Sequence, residues 1–301
     1  MHSTAATMTQ PLTLTHGGAL SNLPLFLALD AELFAPLGLD VFAAPLDGFG
    51  STAGRLRDGS AAIGTTGFTQ VLADATSPDP LVAVAGSGLR GMAVLGRRGA
   101  TLKSLVGATV GTFADDPMQV LLADVLAHYG LDGRVHVRMM RSLQAAADGL
   151  EQGEFQSVTT IEPWISFLRG RGATLLSDGT DVWGPDYPDT ILVARRSVVD
   201  TAPDQIVTVI RAMLRAERMI GDHPRSALRA VAHRFPGFSL DQLSAGLVGQ
   251  PPCVDLRGKQ AALLDRWPTV RRLAGLPPDP VPSTLVDFRC LARAVEAEAY
   301  A

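Results

Sequence analysis

The sequence predicts an α/β protein with two lobes, each a mostly parallel sheet flanked by helices, followed by a helical C-terminal third. Three observations lead to this prediction. Short β-like runs alternate with helix-like runs, the same alternation starts again after Gly91, and the strand signals stop at Ala202. Strands and helices that alternate with short joints form parallel sheets through right-handed crossovers. The repeated alternation therefore predicts two such sheets.

The first lobe begins with a period-2 run, Pro11 to His16, that predicts a strand. A helix is expected next, with Pro24 in its first turn, apolar residues at helical spacing as far as Leu37, and Gly38 as its stop. The remaining strands of this lobe are predicted at Leu39 to Ala44, Ala61 to Gly64 and Leu81 to Ala85. The last of these is a continuous apolar run, which is typical of a strand covered on both faces.

In the second lobe, two residues stand where helix caps are expected. Asp116 precedes Pro117, and Ser142 precedes an apolar run that stops at Gly153. The strands of this lobe are predicted at Ala108 to Phe113, Val135 to Met139, Gln156 to Thr160, Thr174 to Leu176 and Thr190 to Ala194. Beyond Ala202, apolar residues at helical spacing predict helices, and we expect them to pack onto a lobe formed by the preceding residues.

Composition excludes several classes of protein. With 301 residues, 47% hydrophobic and 19% charged, the chain is long and apolar enough for a substantial core. A net charge of −4 gives no sign of the basic surface that nucleic-acid binding requires. The two cysteines, Cys253 and Cys290, form no metal-binding spacing, and we expect two buried free thiols rather than a disulfide. No phosphate-binding or metal-binding motif occurs, so neither a cofactor nor a metal is predicted.

The N-terminal stretch bears on localisation. Met1 to Thr15 contains no Lys or Arg and no apolar run of the length found in secretory signals. As written, the chain is therefore expected to stay in the cytoplasm. No apolar stretch of about 18 residues occurs elsewhere, so no membrane span is predicted.

Candidate binding residues come after the carboxyl ends of the predicted strands, where open α/β sheets bind ligands. They are Gly17, Gly18, Asn22, Thr65, Thr66 and Ser87 in the first lobe, and Asp115, Asp116, Arg141, Ser142 and Glu162 in the second. Trp164 is a candidate aromatic wall, although a core position is the alternative for a tryptophan.

The chemistry of these residues leaves two ligand classes open. Hydroxyls and helix N-termini outnumber acceptors, which favours a small anion such as a sulfonate or carboxylate on an organic body. If two of Asp115, Asp116 and Glu162 face the cleft, an amine or amino-heterocycle becomes the better fit. Capping alone is the alternative role for Asp116 and Ser142.

Several segments, in the right order, resemble a known family. The opening segment, the approach to the second lobe and the later segments match in turn: Gly18, Asn22, Pro24, Leu27, Ala28, Phe34 and Gly38 to Val41; Leu56 to Gly59; Leu102 to Gly107; Ala147 to Gly153; Ile161 to Trp164; and Ala212 to Pro224. They resemble the substrate-binding proteins of ABC importers for alkanesulfonates, taurine, nitrate and pyrimidine precursors. Gln156 and Ser157 depart from the Val-Asp usual in that family.

The resemblance implies a type II periplasmic-binding-protein-like fold, with residues 1–90 and 196–301 in lobe I and residues 91–195 in lobe II. It implies crossovers near Leu89 to Arg97 and Thr190 to Arg195, and lobes that close about a hinge on a small organic solute. An importer's permease and ATPase are then the expected partners, a monomer the expected state, and the periplasm the family's usual compartment.

A cytosolic enzyme on the same scaffold is the main alternative, and a ligand-gated sensor domain is a further one. The pyrimidine synthase of this fold uses a Lys and a His after strand three, and Thr65 to Gln70 contains neither. The sulfinate desulfinase uses a cysteine after strand one, and Gly17 to Pro24 contains none. A decarboxylase stays open, with Asp115, Asp116 or Glu162 acting with His16. No catalytic residue is assigned.

Overall fold

A computed structural model of the protein describes residues 11–46 and 51–300, so most of the stretch used to predict localisation lies outside the described residues. Within these ranges, ten strands form two five-stranded sheets, which confirms the predicted fold class. The strands are β1 (Leu12–His16), β2 (Val41–Pro45), β3 (Ile63–Gly67), β4 (Leu81–Gly86), β5 (Met92–Gly96), β6 (Thr109–Thr112), β7 (His136–Met139), β8 (Ser157–Ile161), β9 (Thr174–Ser177) and β10 (Thr190–Arg195).

Each sheet contains one strand that runs against its neighbours. The first sheet has the order β2-β1-β3-β10-β4, in which β1 is parallel to β2 and β3 while β10 is antiparallel to β3 and β4. The second has the order β7-β6-β8-β5-β9, in which β6 is parallel to β7 and β8 while β5 is antiparallel to β8 and β9. The parallel strands of each sheet therefore end at one common edge.

Helices flank both sheets and dominate the C-terminal third. They are α1 (Leu23–Asp30), α2 (Thr52–Arg57), α3 (Phe68–Ala73), α4 (Pro117–His128), α5 (Leu143–Gln152), α6 (Trp164–Gly170), α7 (Thr180–Trp183), α8 (Arg196–Thr201), α9 (Pro203–Asp222), α10 (Pro224–Val231), α11 (Leu240–Gly249), α12 (Gln260–Leu264), α13 (Trp267–Leu273) and α14 (Arg289–Ala299). Within the described residues, no helix has both the length and the apolar character needed to cross a bilayer.

The first helix is shorter than predicted. We expected one helix as far as Leu37, but α1 ends at Asp30. Glu32 then adopts a left-handed φ of 53°, which interrupts the helical path. A separate 3-10 turn covers Ala35–Leu37 and ends at Gly38, whose φ of 77° suits glycine.

The first crossover overlaps its predicted segment only in part, and the second lies before its predicted segment. The chain leaves the first sheet through residues 87–91 and returns through residues 178–189, which include α7. Both Met92–Gly96 and Thr190–Arg195 are strands within a single sheet, because each has ladder partners on both sides. β10 therefore joins the first sheet, whereas we expected lobe II to extend to residue 195.

Lobe I comprises the first sheet with α1–α3, α8–α10 and α14, and lobe II comprises the second sheet with α4–α6. Residues 240–288, here called the strap, contact both lobes. Its helix α11 packs against α10 and α6, and its helix α13 packs against α3 and α4. The Thr269 hydroxyl donates to Asp124 of α4 at 2.7 Å, and Asp287 N donates to Ala83 O of β4 at 2.9 Å. The strap is therefore a third link between the lobes, beside the two crossovers.

Candidate ligand-binding site

A cavity of about 640 Å³ lies between the two sheets, at the edge where their parallel strands end. This volume falls within the range of small-molecule sites, which is about 300–1,000 Å³. Nine of the twelve predicted binding residues line it: Gly17, Gly18, Asn22, Thr65, Thr66, Asp115, Asp116, Arg141 and Ser142.

The lobe I wall is built from the ends of β1 and β3. Asn22 donates from Nδ2 to Gly17 O at 3.0 Å, but its Oδ1 and the Thr65 hydroxyl have no hydrogen-bond partner among the described residues. A Cβ on Gly17 or Gly18 would meet no described atom within 4 Å, so the backbone there borders open space. Buried polar groups of this kind are normally paired, and a ligand in the cavity would supply the missing partners.

The lobe II wall follows β6 and β7, and helix caps position its polar residues. Asp116 Oδ1 accepts a hydrogen bond from Met118 N at 2.8 Å, and Ser142 Oγ accepts one from Ala145 N at 3.1 Å. Both predicted caps are therefore formed. Asp115 precedes α4 with a left-handed φ of 58°. Arg141 is exposed and makes no hydrogen bond or ion pair with any residue that the structure describes.

The two lobes touch beside the cavity. A Cβ on Gly67, at the end of β3, would collide with the ring of Pro117 at the start of α4. Only glycine permits this approach, and it places the two walls on either side of one cavity.

Asp189 is a wall residue that sequence reasoning missed. It lies at the end of the second crossover, and its side chain is 6% exposed. Its Oδ2 accepts hydrogen bonds from Gln250 Nε2 at 2.7 Å and from the Thr190 hydroxyl at 3.4 Å. Asp189 stands before β10, whereas every residue predicted from the sequence comes after a strand. Because β10 runs antiparallel, its start lies at the same edge as the ends of its neighbours.

Two carboxyl groups of the cavity have strongly altered acidity. Burial, together with the smaller effect of the nearby Asp116 charge, raises the pKa of Asp189 to about 7. Burial also raises the pKa of Asp116 to about 7, against the opposing effect of its bond from Met118 N. With Asp115, these groups give the described part of the cavity wall three carboxyls against the single guanidinium of Arg141.

Three predicted binding residues do not line the cavity. The Ser87 hydroxyl donates to Ser21 O at 2.7 Å. Glu162 accepts from Ser166 N at 3.0 Å and from the Ser166 hydroxyl at 3.1 Å, and it packs against two glycines of α11. Trp164 meets Phe238 edge-to-face, with ring centroids 5.0 Å apart. Strap residues cover two of these positions. Cys253 N donates to Ser87 O at 3.1 Å, and the two glycines of α11 lie against Glu162.

The cavity has an aliphatic wall in place of the expected aromatic one. No aromatic residue lines it within residues 11–46 and 51–300, and the apolar contribution comes from flexible or branched aliphatic side chains. These are Leu46, Met92, Met118, Leu143 and Ile161. Methionines fill irregular space and tolerate ligands of different shape.

His16 lies behind the cavity rather than in its wall. Its Nδ1 is 3.1 Å from Gly17 O, and its ring meets Phe26 edge-to-face at 5.0 Å between centroids. Burial lowers its pKa, so it is neutral near pH 7. No group of three or more His, Cys, Asp or Glu residues suited to a metal ion occurs among the described residues.

The model of the family described as NMT1/THI5 like matches residues 21–227 of the chain. The chain belongs to the NMT1/THI5-like family. The match covers more than half of the sequence, and it includes every residue named above as lining the cavity except Gly17 and Gly18. Family and fold together confirm the resemblance seen in the sequence.

Solved structures of similar fold include both binding proteins and an enzyme. This NMT1/THI5-like protein matches the periplasmic aliphatic sulphonate binding protein SsuA from Escherichia coli at 17% identity and a TM-score of 0.76, over 93% of this chain and 96% of the other. The periplasmic nitrate-binding protein NrtA from Synechocystis PCC 6803 matches at 12% identity and 0.78, over 96% and 89%. The desulfurization enzyme DSZB matches at 16% and 0.70, over 95% and 99%. A comparison with curated protein sequences gave no match.

Proposed function

We propose that the protein binds a small organic amine or amino-heterocycle between its lobes, as the substrate-binding component of an ABC-type importer. One observation carries the choice of ligand class. Asp116 of lobe II and Asp189 beside lobe I line the same cavity, and with Asp115 they outnumber the one cation in its described wall, Arg141.

The charge balance supports a cationic ligand over the small anion that the sequence favoured. Coulomb interactions near buried groups such as Asp189 are stronger than those in bulk water. Near pH 7 the raised pKa values leave Asp116 and Asp189 only partly ionised, and a bound cation favours their ionised form whereas an anion does not. An ammonium or a ring N–H would then supply the donors that these carboxylates accept. The hydroxyls of Thr65, Thr66 and Ser142 remain for the other polar atoms of the ligand. A heterocycle with both donors and acceptors fits this set.

The placement of the two carboxyls connects binding with closure. Asp116 belongs to the cap of α4 in lobe II, and Asp189 leads into β10 of lobe I. A cation between them would be attracted to both lobes at once, and it would relieve the repulsion between the two carboxylates. The ligand contacts both lobes only when they are closed, so its binding stabilises the closed arrangement over the open one.

The importer role is supported by the family and the fold. SsuA and NrtA are named as periplasmic binding proteins for other small solutes, and both align over at least 89% of their length. We infer a small-molecule ligand, a permease as the docking partner, a monomeric state and the periplasm as the working compartment. Fractionation of cells that express the native gene, with antibody detection, tests the compartment.

An enzyme on the same scaffold is the second candidate, and one observation favours it. Two carboxyls with a pKa of about 7 have the acidity that general acid–base catalysis requires near neutral pH. His16 does not line the cavity, so the acid–histidine pair considered for a decarboxylase does not form around it. An enzyme would have to act through Asp116 and Asp189.

A thermal-shift screen with matched libraries of amines, amino-heterocycles, sulfonates and carboxylates tests the proposal. A ligand at about 100 times its dissociation constant stabilises the fold by about 2.7 kcal/mol. Stabilisation by amines or amino-heterocycles, reduced in Asp116→Asn and Asp189→Asn, is expected. Stabilisation only by anions would contradict the ligand class. Mass spectrometry of each hit after incubation would show turnover if the protein is an enzyme.

A further inference from the structure

A second cavity, of about 170 Å³, lies where the two lobes meet the strap. Helix α3 of lobe I contributes Thr69 and Leu72, α4 of lobe II contributes Val120, and α13 of the strap contributes Trp267. An engineered protein cavity of about 150 Å³ lined by apolar side chains is known to bind benzene. The second cavity therefore has room for one small ring.

The inner walls of this cavity are apolar and fixed. Leu72, Val120 and Trp267 are each at most 3% exposed. The Trp267 indole is held by a hydrogen bond from Nε1 to Asp279 O at 2.5 Å. An apolar molecule that enters such a preformed space removes its own surface from water and finds walls that need no rearrangement.

Thr69 gives the cavity one polar contact. Its side chain is 5% exposed and lines the cavity, and its hydroxyl has no hydrogen-bond partner among the residues that the structure describes. Threonine in a helix has two accessible χ1 rotamers, so a change of rotamer can turn the hydroxyl toward the cavity. A ligand oxygen there would supply the partner that a buried hydroxyl normally has.

The charged groups at the cavity favour a neutral occupant. Asp115 and Arg271 both line it, with opposite signs. The Arg271 guanidinium already donates from Nε to Pro277 O at 2.6 Å and lies 5.1 Å from the Trp267 ring centroid. We propose that this cavity is a binding site for a small neutral ring compound with one hydroxyl or carbonyl group. Asp115 also lines the main cavity, and among the described residues it is the one that lines both cavities.

Calorimetric titration of the full chain with phenol and with toluene tests the proposal. The two probes have nearly the same shape and differ in one hydroxyl. We expect saturable binding of one equivalent of each. Thr69→Val keeps the shape of the side chain and removes its hydroxyl, so it should weaken phenol about five-fold while toluene changes less than two-fold.

Two further variants locate the site. Thr76→Val removes an exposed hydroxyl at the rim of the same cavity and should leave both affinities within two-fold. Ala73→Trp adds bulk at the exposed end of α3, where it lines the cavity, and should abolish binding of both probes. Each variant is first shown to melt within a few degrees of the wild type. The proposal is overturned if the wild type binds neither probe, if Thr69→Val leaves phenol unchanged, or if Ala73→Trp still binds both.

Discussion

The two walls of the main cavity differ in how firmly their side chains are held. On the lobe I side, Asn22, Thr65, Thr66 and Asp189 are each at most 7% exposed. On the lobe II side, Asp115, Arg141 and Ser142 are exposed. Side chains that are already packed lose little freedom when a ligand binds, whereas exposed ones must first be ordered. We therefore expect lobe I to supply most of the affinity and lobe II to cover the ligand.

The sharpest test of this difference is Asp189→Asn on the lobe I side. The substitution keeps an acceptor for Gln250 and removes a buried negative charge, so the affinity for an amine found in the screen should fall about 100-fold. Isothermal titration calorimetry measures it. Asp186→Asn, an exposed position on the same crossover, is the matched control and should stay within two-fold. A loss of less than three-fold in Asp189→Asn would show that lobe I does not dominate.

The corresponding change in lobe II, Asp116→Asn, should have a smaller effect. Asparagine still caps α4 and cannot take up the negative charge that a bound cation favours on Asp116, which solvent partly reaches, so we expect the amine affinity to fall about ten-fold. The same titration checks this, with the exposed Asp132→Asn as control. A loss in Asp116→Asn larger than that in Asp189→Asn would reverse the proposed order of the walls.

The raised pKa of Asp116 predicts a pH dependence of stability. The folded protein keeps this carboxyl protonated up to about pH 7, whereas the unfolded chain loses the proton near the ordinary aspartate pKa of 3.8. Between these values the folded state binds more protons, so the free energy of unfolding contributed by Asp116 falls as the pH rises.

Urea denaturation of the wild type and Asp116→Asn at pH 5 and pH 8 measures this contribution. A pKa of about 7 against 3.8 corresponds to about 2.6 kcal/mol of linkage between these two pH values. Because solvent partly reaches the carboxyl, we expect about half of that: relative to Asp116→Asn, the wild type should be less stable at pH 8 than at pH 5 by about 1.3 kcal/mol. The comparison with the variant cancels other titrating groups such as Glu162 and Glu217. Equal differences at the two pH values would contradict the raised pKa.

The smallest effect is expected at Arg141, and its sign separates the two ligand classes. A cationic ligand is repelled by this exposed guanidinium, so Arg141→Gln should raise the amine affinity by about two-fold. If the ligand were an anion, the same substitution would weaken binding. Titration at low and at physiological ionic strength checks this, because the difference should shrink as salt is added.

Residue patterns predicted the parts of the site that depend on local structure. The Asp116 and Ser142 caps follow from their position before helices, and Thr65 and Thr66 follow from the end of β3. The parts of the site that residue patterns did not predict depend on pairing between strands that are far apart in the sequence. Asp189 reaches the cavity because β10 is inserted antiparallel between β3 and β4, and no local pattern shows that direction.

Contacts made by the strap and by Phe238, which precedes it, explain the other differences. Glu162 follows β8, as expected, but α11 covers it, and Trp164 meets Phe238 instead of the cavity. Such contacts join residues about 75 to 90 positions apart, whereas capping and periodicity act over a few residues. Helical spacing also predicted one helix as far as Leu37, and the left-handed turn at Glu32 left no periodic signal.

The position of β10 has a consequence for how the chain is made. The second sheet is encoded by one continuous stretch, residues 92–177, so it can pair completely while the ribosome is still adding the rest. The first sheet cannot, because β10 is its inner strand and is synthesised long after β4. From residue 87 to residue 189, the nascent chain carries β3 and β4 with the backbone edges meant for β10 unpaired. Unpaired strand edges are templates for aggregation, so this interval is where the growing chain depends most on chaperones.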